Sequence, residues 1–296
     1  MYNNNLMKNS NSNINNLNAI FKEKISTDDF NRLSDFIYKK YGIQMPKRKK
    51  IMLQSRLQKR LRELNISNFK EYCNYVFSHE GKENEVIHMI DVVSTNKTDF
   101  FRESKHFDYL QSMILPEYVN PKTINRKIKV WSAGCSSGEE PYTIAIIISD
   151  FLEKIPGLDF SIFATDISSK ILKQAIVATY KEERIADIPL NLKRKYFLKS
   201  KDPENKSVRL IPHIRKKVCF QRLNFMDKSY NVAEYFDIIF CRNVLIYFDR
   251  KTQENVIYKL CEKLKTGGYF FLGHSESIMN MNVPLSQIKP ALYRKI

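Results

Sequence analysis

Glu139, Glu140, Asp166, Asn224, Arg242 and Asn243 are the residues whose types and local setting point to chemistry. The two glutamates close the run Val130-Trp131-Ser132-Ala133-Gly134-Cys135-Ser136-Ser137-Gly138-Glu139-Glu140-Pro141-Tyr142, which is followed by the aliphatic stretch Ile144 to Ile148. Apolar residues give way to a loop of small residues, then to two acids and a proline. That order predicts a strand, a tight turn and a helix start. The free N–H groups of such a helix start sit at the rim of a parallel sheet, where open α/β folds bind ligands. The acids narrow the ligand. A phosphate would be repelled by Glu139 and Glu140, and neither a dinucleotide fingerprint nor a phosphate loop with its lysine is present. A molecule carrying an ammonium, a sulfonium and a ribose suits the turn, and S-adenosylmethionine has all three. Taken alone, the run would serve equally as a plain strand-to-helix connection.

Its neighbours favour the ligand. Asp166 ends a second apolar run, Phe163-Ala164-Thr165-Asp166-Ile167, where a carboxylate accepts hydrogen bonds from ribose hydroxyls. Capping the helix that starts near Ser168 is the competing role. Asn224 closes a third strand, where its amide could read an adenine edge. In Phe236-Asp237-Ile238-Ile239-Phe240-Cys241-Arg242-Asn243-Val244-Leu245-Ile246-Tyr247-Phe248 an arginine and an asparagine follow the apolar residues at once, with Tyr247 near the cleft mouth. An arginine that merely caps carbonyls is the alternative reading of Arg242.

These residues need a parallel sheet to hold them. Strands are expected at Ile128 to Trp131, Phe160 to Ala164, Phe236 to Cys241 and Tyr269 to Leu272, with helices at Pro141 to Leu152, Ser169 to Ala178 and Arg250 to Leu264 between them. Apolar strands without alternation, separated by amphipathic helices, argue a parallel sheet covered on both faces. Leu285 to Arg294 reads as a final strand, antiparallel at the edge. Between Thr179 and Ser229 the chain is too long for a crossover and carries fourteen basic against six acidic residues. Its short β-like runs, Lys195 to Leu198, Val208 to Ile211 and Val218 to Gln221, suggest a small antiparallel insertion at about residues 190–222.

Ahead of the sheet the pattern is helical. Nine of the first eighteen residues are asparagine, so residues 1–25 read as a disordered tail. Residues 26–94 form a helical domain, beginning with Phe30, Leu33, Phe36, Ile37 and Tyr41 at helical spacing and stopping at Gly42. A second helix carries Leu53, Leu57, Leu61 and Leu64 on one face. Residues 47–62 hold eight lysines or arginines and no acid. Lys49, Arg56 and Arg60 line up beside the leucine stripe, which favours an anionic partner surface over a merely solvated face. Residues 95–120 read as a linker with a helix running to about Val119, and residues 121–296 as the α/β domain.

The formal charge of +17 calls for something anionic, without choosing among nucleic acid, membrane and acidic protein. Five cysteines, odd in number and without a C-x-x-C pair, read as reduced thiols of a cytoplasmic protein. The five histidines lack metal-ligand spacing, so no metal is expected. No apolar run reaches membrane-spanning length.

From about Thr27 onward the chain resembles the chemotaxis receptor (CheR-type) protein-glutamate O-methyltransferases. The resemblance rests on Thr95 through Glu103, Trp131 through Tyr142, Phe163 through Ile167, Cys241 through Phe248, and Gly273-His274-Ser275-Glu276-Ser277. It implies an all-α N-terminal domain before a Rossmann-like class I methyltransferase domain with a small antiparallel β insertion. It further implies that Asn96, Thr98 and Arg102 contact the cofactor, that Glu139 or else Glu140 meets its methionine ammonium, and that Asp166 holds its ribose. Asn224, Phe225, Arg242 and Asn243 would line the adenosine and sulfur pocket, with Arg102 and Tyr247 beside the transferred methyl. Phe225 departs from the aliphatic residue expected there.

The implied reaction takes the methyl of S-adenosylmethionine to receptor glutamates, giving methyl esters and S-adenosylhomocysteine. The implied partner is the acidic, helical cytoplasmic region of methyl-accepting chemotaxis receptors, met by Lys49, Arg56 and Arg60. A cytoplasmic monomer is expected, with neither nucleic acid nor membrane insertion. Two rivals stand beside this. A basic RNA methyltransferase of the same fold would carry an Asn/Asp-Pro-Pro-aromatic clamp where this chain has Arg242-Asn243-Val244, and a silent binding module would have no use for the rim acids.

Overall fold

Ser26 opens the described helices: its hydroxyl accepts the Asp29 N–H and so caps α1, Thr27–Tyr41, which Gly42 ends in a left-handed conformation. The computed structural model describes residues 23–119, 126–153, 155, 157–202 and 204–296, in two compact units divided after Thr95. The tail expected over residues 1–25 lies mostly outside the described residues. Its last three belong to the helical unit: Ile25 is buried, and its N–H donates to Gln54.

In that unit α2, Lys50–Glu63, follows a 3-10 turn at Lys47–Lys49, and α3, Phe69–Phe77, and α4, His79–Val93, complete the bundle. Leu33, Ile37, Leu53, Leu57, Leu61, Tyr72, Met89 and Ile90 are fully buried between the helices. The leucine stripe therefore points where its spacing predicts.

The second unit is a seven-stranded sheet. Its strands are β1 Lys127–Ala133, β2 Asp159–Asp166, β6 Val218–Arg222, β7 Phe236–Cys241, β8 Leu264–Leu272, β9 Leu285–Lys289 and β10 Leu292–Lys295. They lie in the order β6-β2-β1-β7-β8-β10-β9, with β10 alone running against the direction of the others. The sheet reverses direction at β1, so the turn after β1 faces the gap left between outgoing crossovers, the place where such sheets bind ligands. Helices α6 Glu139–Leu152, α7 Ser169–Val177 and α8 Arg250–Lys263 make the crossovers. Phe240 and Phe271 stack at 4.2 Å, and Phe107 lies on Phe240.

Four expectations change. The final strand is a hairpin, because Ala291 at φ 58 turns the chain, and the antiparallel β10 sits inside the sheet while β9 takes the edge. Val218–Gln221 belongs to the main sheet: β6 pairs parallel with β2, which its short apolar run could not reveal. The insertion's own sheet is β3 Thr179–Lys181, β5 Ser207–Leu210 and β4 Phe197–Lys199, so it begins before residue 190. The helix expected to reach Val119 begins only at α5, Lys105–Tyr109, and continues as a π-turn over Leu110–Ile114 and a 3-10 turn over Leu115–Tyr118. Before it, Phe101 and Glu103 take positive φ and break the helical path.

All five cysteines are free thiols, and no helix among the described residues is long and apolar enough to cross a membrane.

Candidate active site

The turn after β1 is bent by backbone needs that its small residues satisfy. Gly134 has φ +89, and a Cβ there would lie 2.3 Å from Val244 Cγ2 on the loop after β7. Gly138 has φ +97 directly before α6. The Gly134 and Cys135 N–H groups both donate to the Thr165 carbonyl, at 2.7 and 2.8 Å, tying the turn to the end of β2. Asp166 continues that tie: its carboxylate accepts the Ser136 N–H at 2.9 Å and the Ser168 N–H at 3.0 Å. Ser168 itself caps α7, so the competing capping role falls to it and Asp166 stays at the rim.

The paired glutamates do different work. Glu139 is 2 % exposed and accepts Ser137 Oγ at 2.5 Å and Arg184 Nη2 at 2.6 Å. Glu140 accepts Ser132 Oγ at 2.7 Å and Arg242 Nη1 at 3.0 Å. Burial pushes the Glu140 carboxyl above its ordinary range, against the pull of Arg242 and Ser132. Both acids are ion-paired inside the fold, Glu139 to Arg184 and Glu140 to Arg242, and Glu140 is the more exposed of the two at 12 %.

Arg242 is the other surprise. Its side chain is 2 % exposed. Nη1 meets Glu140, while Nη2 donates to Glu103 Oε2 at 3.0 Å and to the Arg102 carbonyl. The plane lies over Phe107, 5.3 Å from the ring centre. Its guanidinium therefore ties three chain segments together. Asn243 has φ +58, donates Nδ2 to Glu103 Oε1 at 3.2 Å, and begins a loop held by one carboxylate. Glu276 accepts the N–H groups of Asn243, Val244, Leu245 and Gly273 at 2.7 to 2.9 Å. The half-buried Tyr247 ends the 3-10 turn Leu245–Tyr247 on this loop.

Glu103 anchors the opposite side. Burial opposes its charge, yet Arg242 and Asn243 outweigh it and hold the carboxyl below its ordinary range. His106, fully buried, has both ring nitrogens without a hydrogen bond, and burial together with the Arg242 charge lowers its pKa to about 3. Spacing in the chain predicts no metal, but the fold gathers Glu103, His106 and His274, with one ligand atom of each within 4.8 Å of the others. The Arg242 charge on Glu103 Oε2 opposes a divalent ion there.

The linker residues join the same rim. The Asn96 carbonyl accepts Ser136 Oγ at 3.0 Å, the Thr98 carbonyl accepts Arg184 Nη2, and Arg102 Nη1 donates to the Lys97 carbonyl at 2.8 Å. Asn224 Oδ1 accepts the Met226 N–H at 3.1 Å in a local turn. Phe225 is buried edge-to-face against Tyr230 and Phe248, which accounts for an aromatic where an aliphatic is expected. Sequence reasoning passed over Glu103 and Glu276 as site residues, although both lie in the runs that carry the resemblance. Arg184 gave no signal at all.

In the helical unit the basic stripe is partly used up. Arg60 is 11 % exposed and grips Glu85, itself 1 % exposed, with Nε at 2.8 Å and Nη2 at 2.6 Å, and it also pairs with Glu63. Tyr72 adds its hydroxyl to Glu85 at 2.9 Å. Arg56 donates to the Val93 and Ser94 carbonyls and to Thr95 Oγ1, and Lys49 Nζ donates to the Gln44 carbonyl. The acid that neutralises Arg60 lies on α4, outside the acid-free stretch read from the sequence, so Arg60 leaves the free basic face. Lys47, Arg48 and Lys59 are exposed, Lys59 with Glu63 at 3.9 Å.

Two family models match the chain: the CheR methyltransferase all-alpha domain over residues 28–94 and the CheR methyltransferase SAM binding domain over residues 96–293. A chemotaxis protein methyltransferase of Borreliella burgdorferi is 41% identical over 290 residues, covering 97% of this chain and 99% of that protein. Proteins of the same name from Salmonella typhimurium and Escherichia coli are each 35% identical, covering 87% and 88% of this chain and 86% and 88% of their own.

Proposed function

The chain belongs to the CheR methyltransferase family, and from that premise we propose that it moves the methyl group of S-adenosylmethionine onto glutamate side chains of methyl-accepting chemotaxis receptors. The products are glutamate methyl esters and S-adenosylhomocysteine. The observation that supports this reading is the pair of rim acids, Glu139 at the glycine turn and Asp166 at the end of β2, which suits a nucleoside that carries an ammonium. An RNA-directed activity has no support, since β7 runs into Arg242-Asn243-Val244 rather than a proline-rich clamp.

Asp166 would hold the ribose diol and Glu139 the ammonium, with Asn96, Thr98, Asn224, Phe225 and Asn243 around the nucleoside. The bound sulfonium supplies a methyl group that a carboxylate displaces directly, the S–C electrons leaving on sulfur. The receptor glutamate, with an ordinary pKa of about 4.3, is already ionised at pH 7 and needs no base. What remains for the chain is to align the carboxylate and exclude water, effects worth roughly 7 to 11 kcal/mol. Arg102 and Tyr247 hold the carboxylate. Arg102→Ala is expected to cut kcat by at least about a hundredfold and Tyr247→Phe by about tenfold or less; equal, negligible losses would remove the assignment.

The acidic receptor helix meets the basic face of the helical unit, Lys47, Arg48 and Lys59 with Lys49 and Arg56, and the protein works as a cytoplasmic monomer. Labelled-methyl transfer to receptor membranes tests the whole reading. The label should leave as methanol in mild base, and a base-stable label would exclude the ester.

A further inference from the structure

Arg184 stands on the 3-10 turn Glu182–Ile185, which opens out of β3 in the insertion. Its Nη2 donates to Glu139 Oε1 at 2.6 Å and to the Thr98 carbonyl, and its Nη1 donates to Asp99 Oδ1 at 2.8 Å. The acid expected to meet the cofactor's ammonium therefore already has a cation. That cation is 36 % exposed where its acid is 2 % exposed. A guanidinium has five N–H donors; the contacts above commit two on Nη2 and one on Nη1, so Nε–H and the second Nη1–H are uncommitted among the described residues.

An amino-acid end is a zwitterion, with ammonium and carboxylate on one carbon. A lone buried acid reads half of it and leaves the carboxylate facing a like charge. An acid and an arginine in contact offer a counter-charge to both halves, so neither the ammonium nor the carboxylate need be buried uncompensated. We propose that Arg184 and Glu139 together form the subsite for the α-amino-acid end of the cofactor, Arg184 taking its carboxylate and Glu139 its ammonium. Nε–H and the remaining Nη1–H lie on different edges of the guanidinium, so the carboxylate would take one charge-assisted hydrogen bond from one of them. The insertion thereby contributes a residue to the cofactor site as well as a surface. The proposal rests on the cofactor reading above, and its test separates the two.

Calorimetry with the full chain compares three ligands: S-adenosylhomocysteine, decarboxylated S-adenosylmethionine, and 5′-methylthioadenosine, which lacks the amino-acid end. In the wild type, loss of the carboxylate should weaken binding. Arg184→Gln should weaken S-adenosylhomocysteine about ten- to a hundredfold, the range for a charge-assisted hydrogen bond. It should leave 5′-methylthioadenosine within about twofold and bind the decarboxylated ligand no worse than the wild type does; Arg184→Lys should recover part of the loss. Tighter or unchanged binding of S-adenosylhomocysteine by Arg184→Gln would make Arg184 a competitor for Glu139 and overturn the proposal. An equal loss on S-adenosylhomocysteine and 5′-methylthioadenosine would make its role structural and overturn it too. Should Arg184→Gln not fold, the wild-type comparison of carboxylated and decarboxylated ligands decides, and equal affinities reject the subsite. No heat from any of the three with folded wild type would remove the cofactor reading itself.

Discussion

Arg60 and Arg242 look alike in the sequence, each a basic residue beside an apolar stretch and each a candidate to face a ligand, and both turn inward onto acids. They differ in what they fasten. Arg60 joins two helices of one bundle through Glu85, whereas Arg242 joins the loop after β7, the start of α6 and the segment at Arg102–Glu103. The first arrangement holds a scaffold and the second shapes a rim. Removing one partner of a buried pair leaves a bare charge and costs about 3 to 5 kcal/mol in either place. Arg242→Leu and Arg60→Leu are accordingly expected to lower unfolding free energy by comparable amounts in urea titrations. Activity should part them. In protein shown to be folded at low temperature, Arg242→Leu should reduce methyl transfer by at least about a hundredfold, and Arg60→Leu should leave cofactor binding unchanged. Equal losses of cofactor binding would erase the distinction.

A second contrast follows from the same neighbourhood. The catalytic unit buries His106 against the Arg242 charge with no hydrogen bond to either ring nitrogen; His79 and His88 of the helical unit are not buried. His106 falls from an ordinary 6.5 to about 3 in the folded state. Between those values the unfolded chain binds the extra proton, so stability falls as pH drops from 6.5 toward 3 and is unaffected above 6.5. The slope is about 1.4 kcal/mol per pH unit. Glu103, held low, adds to the loss only as pH drops through the carboxylate range. His106→Leu should flatten urea midpoints between pH 6.5 and 5 and leave the steeper fall below that. An unaltered profile would mean that His106 is not the group being protonated.

The architecture was legible because periodicity and small-residue turns act locally. Glu139, Glu140 and Asp166 could be assigned to the rim from the residues on either side of them. What stayed hidden was pairing across long separations. That Glu140 would spend its charge on Arg242, 102 residues away, or Arg60 on Glu85, 25 away, has no local signature. Val218–Gln221 failed for the same reason: a short apolar run does not say which sheet it joins, and only the partner β2 decides. Arg184 is the extreme case, an arginine in an acidic turn, Lys181-Glu182-Glu183-Arg184, that reads as a solvated residue until the fold brings it to Glu139.

The smallest expected effect concerns the cations that Arg60 leaves behind. Lys47, Arg48 and Lys59 are exposed, so each is screened by salt and contributes little to stability. Their joint field can still steer an acidic helix, and steering appears in association rather than in chemistry. Reversing all three to glutamate should raise the KM for receptor membranes about three- to tenfold at low salt and leave kcat and S-adenosylhomocysteine affinity unchanged. The gap should narrow as salt is raised past 0.15 M, where the Debye length is about 8 Å. Arg60→Gln should do the reverse, lowering stability while moving the receptor KM little, because Glu85 already neutralises Arg60. If the receptor KM answered to Arg60 and ignored the exposed three, the recognition face would lie on the leucine-stripe side of α2 after all.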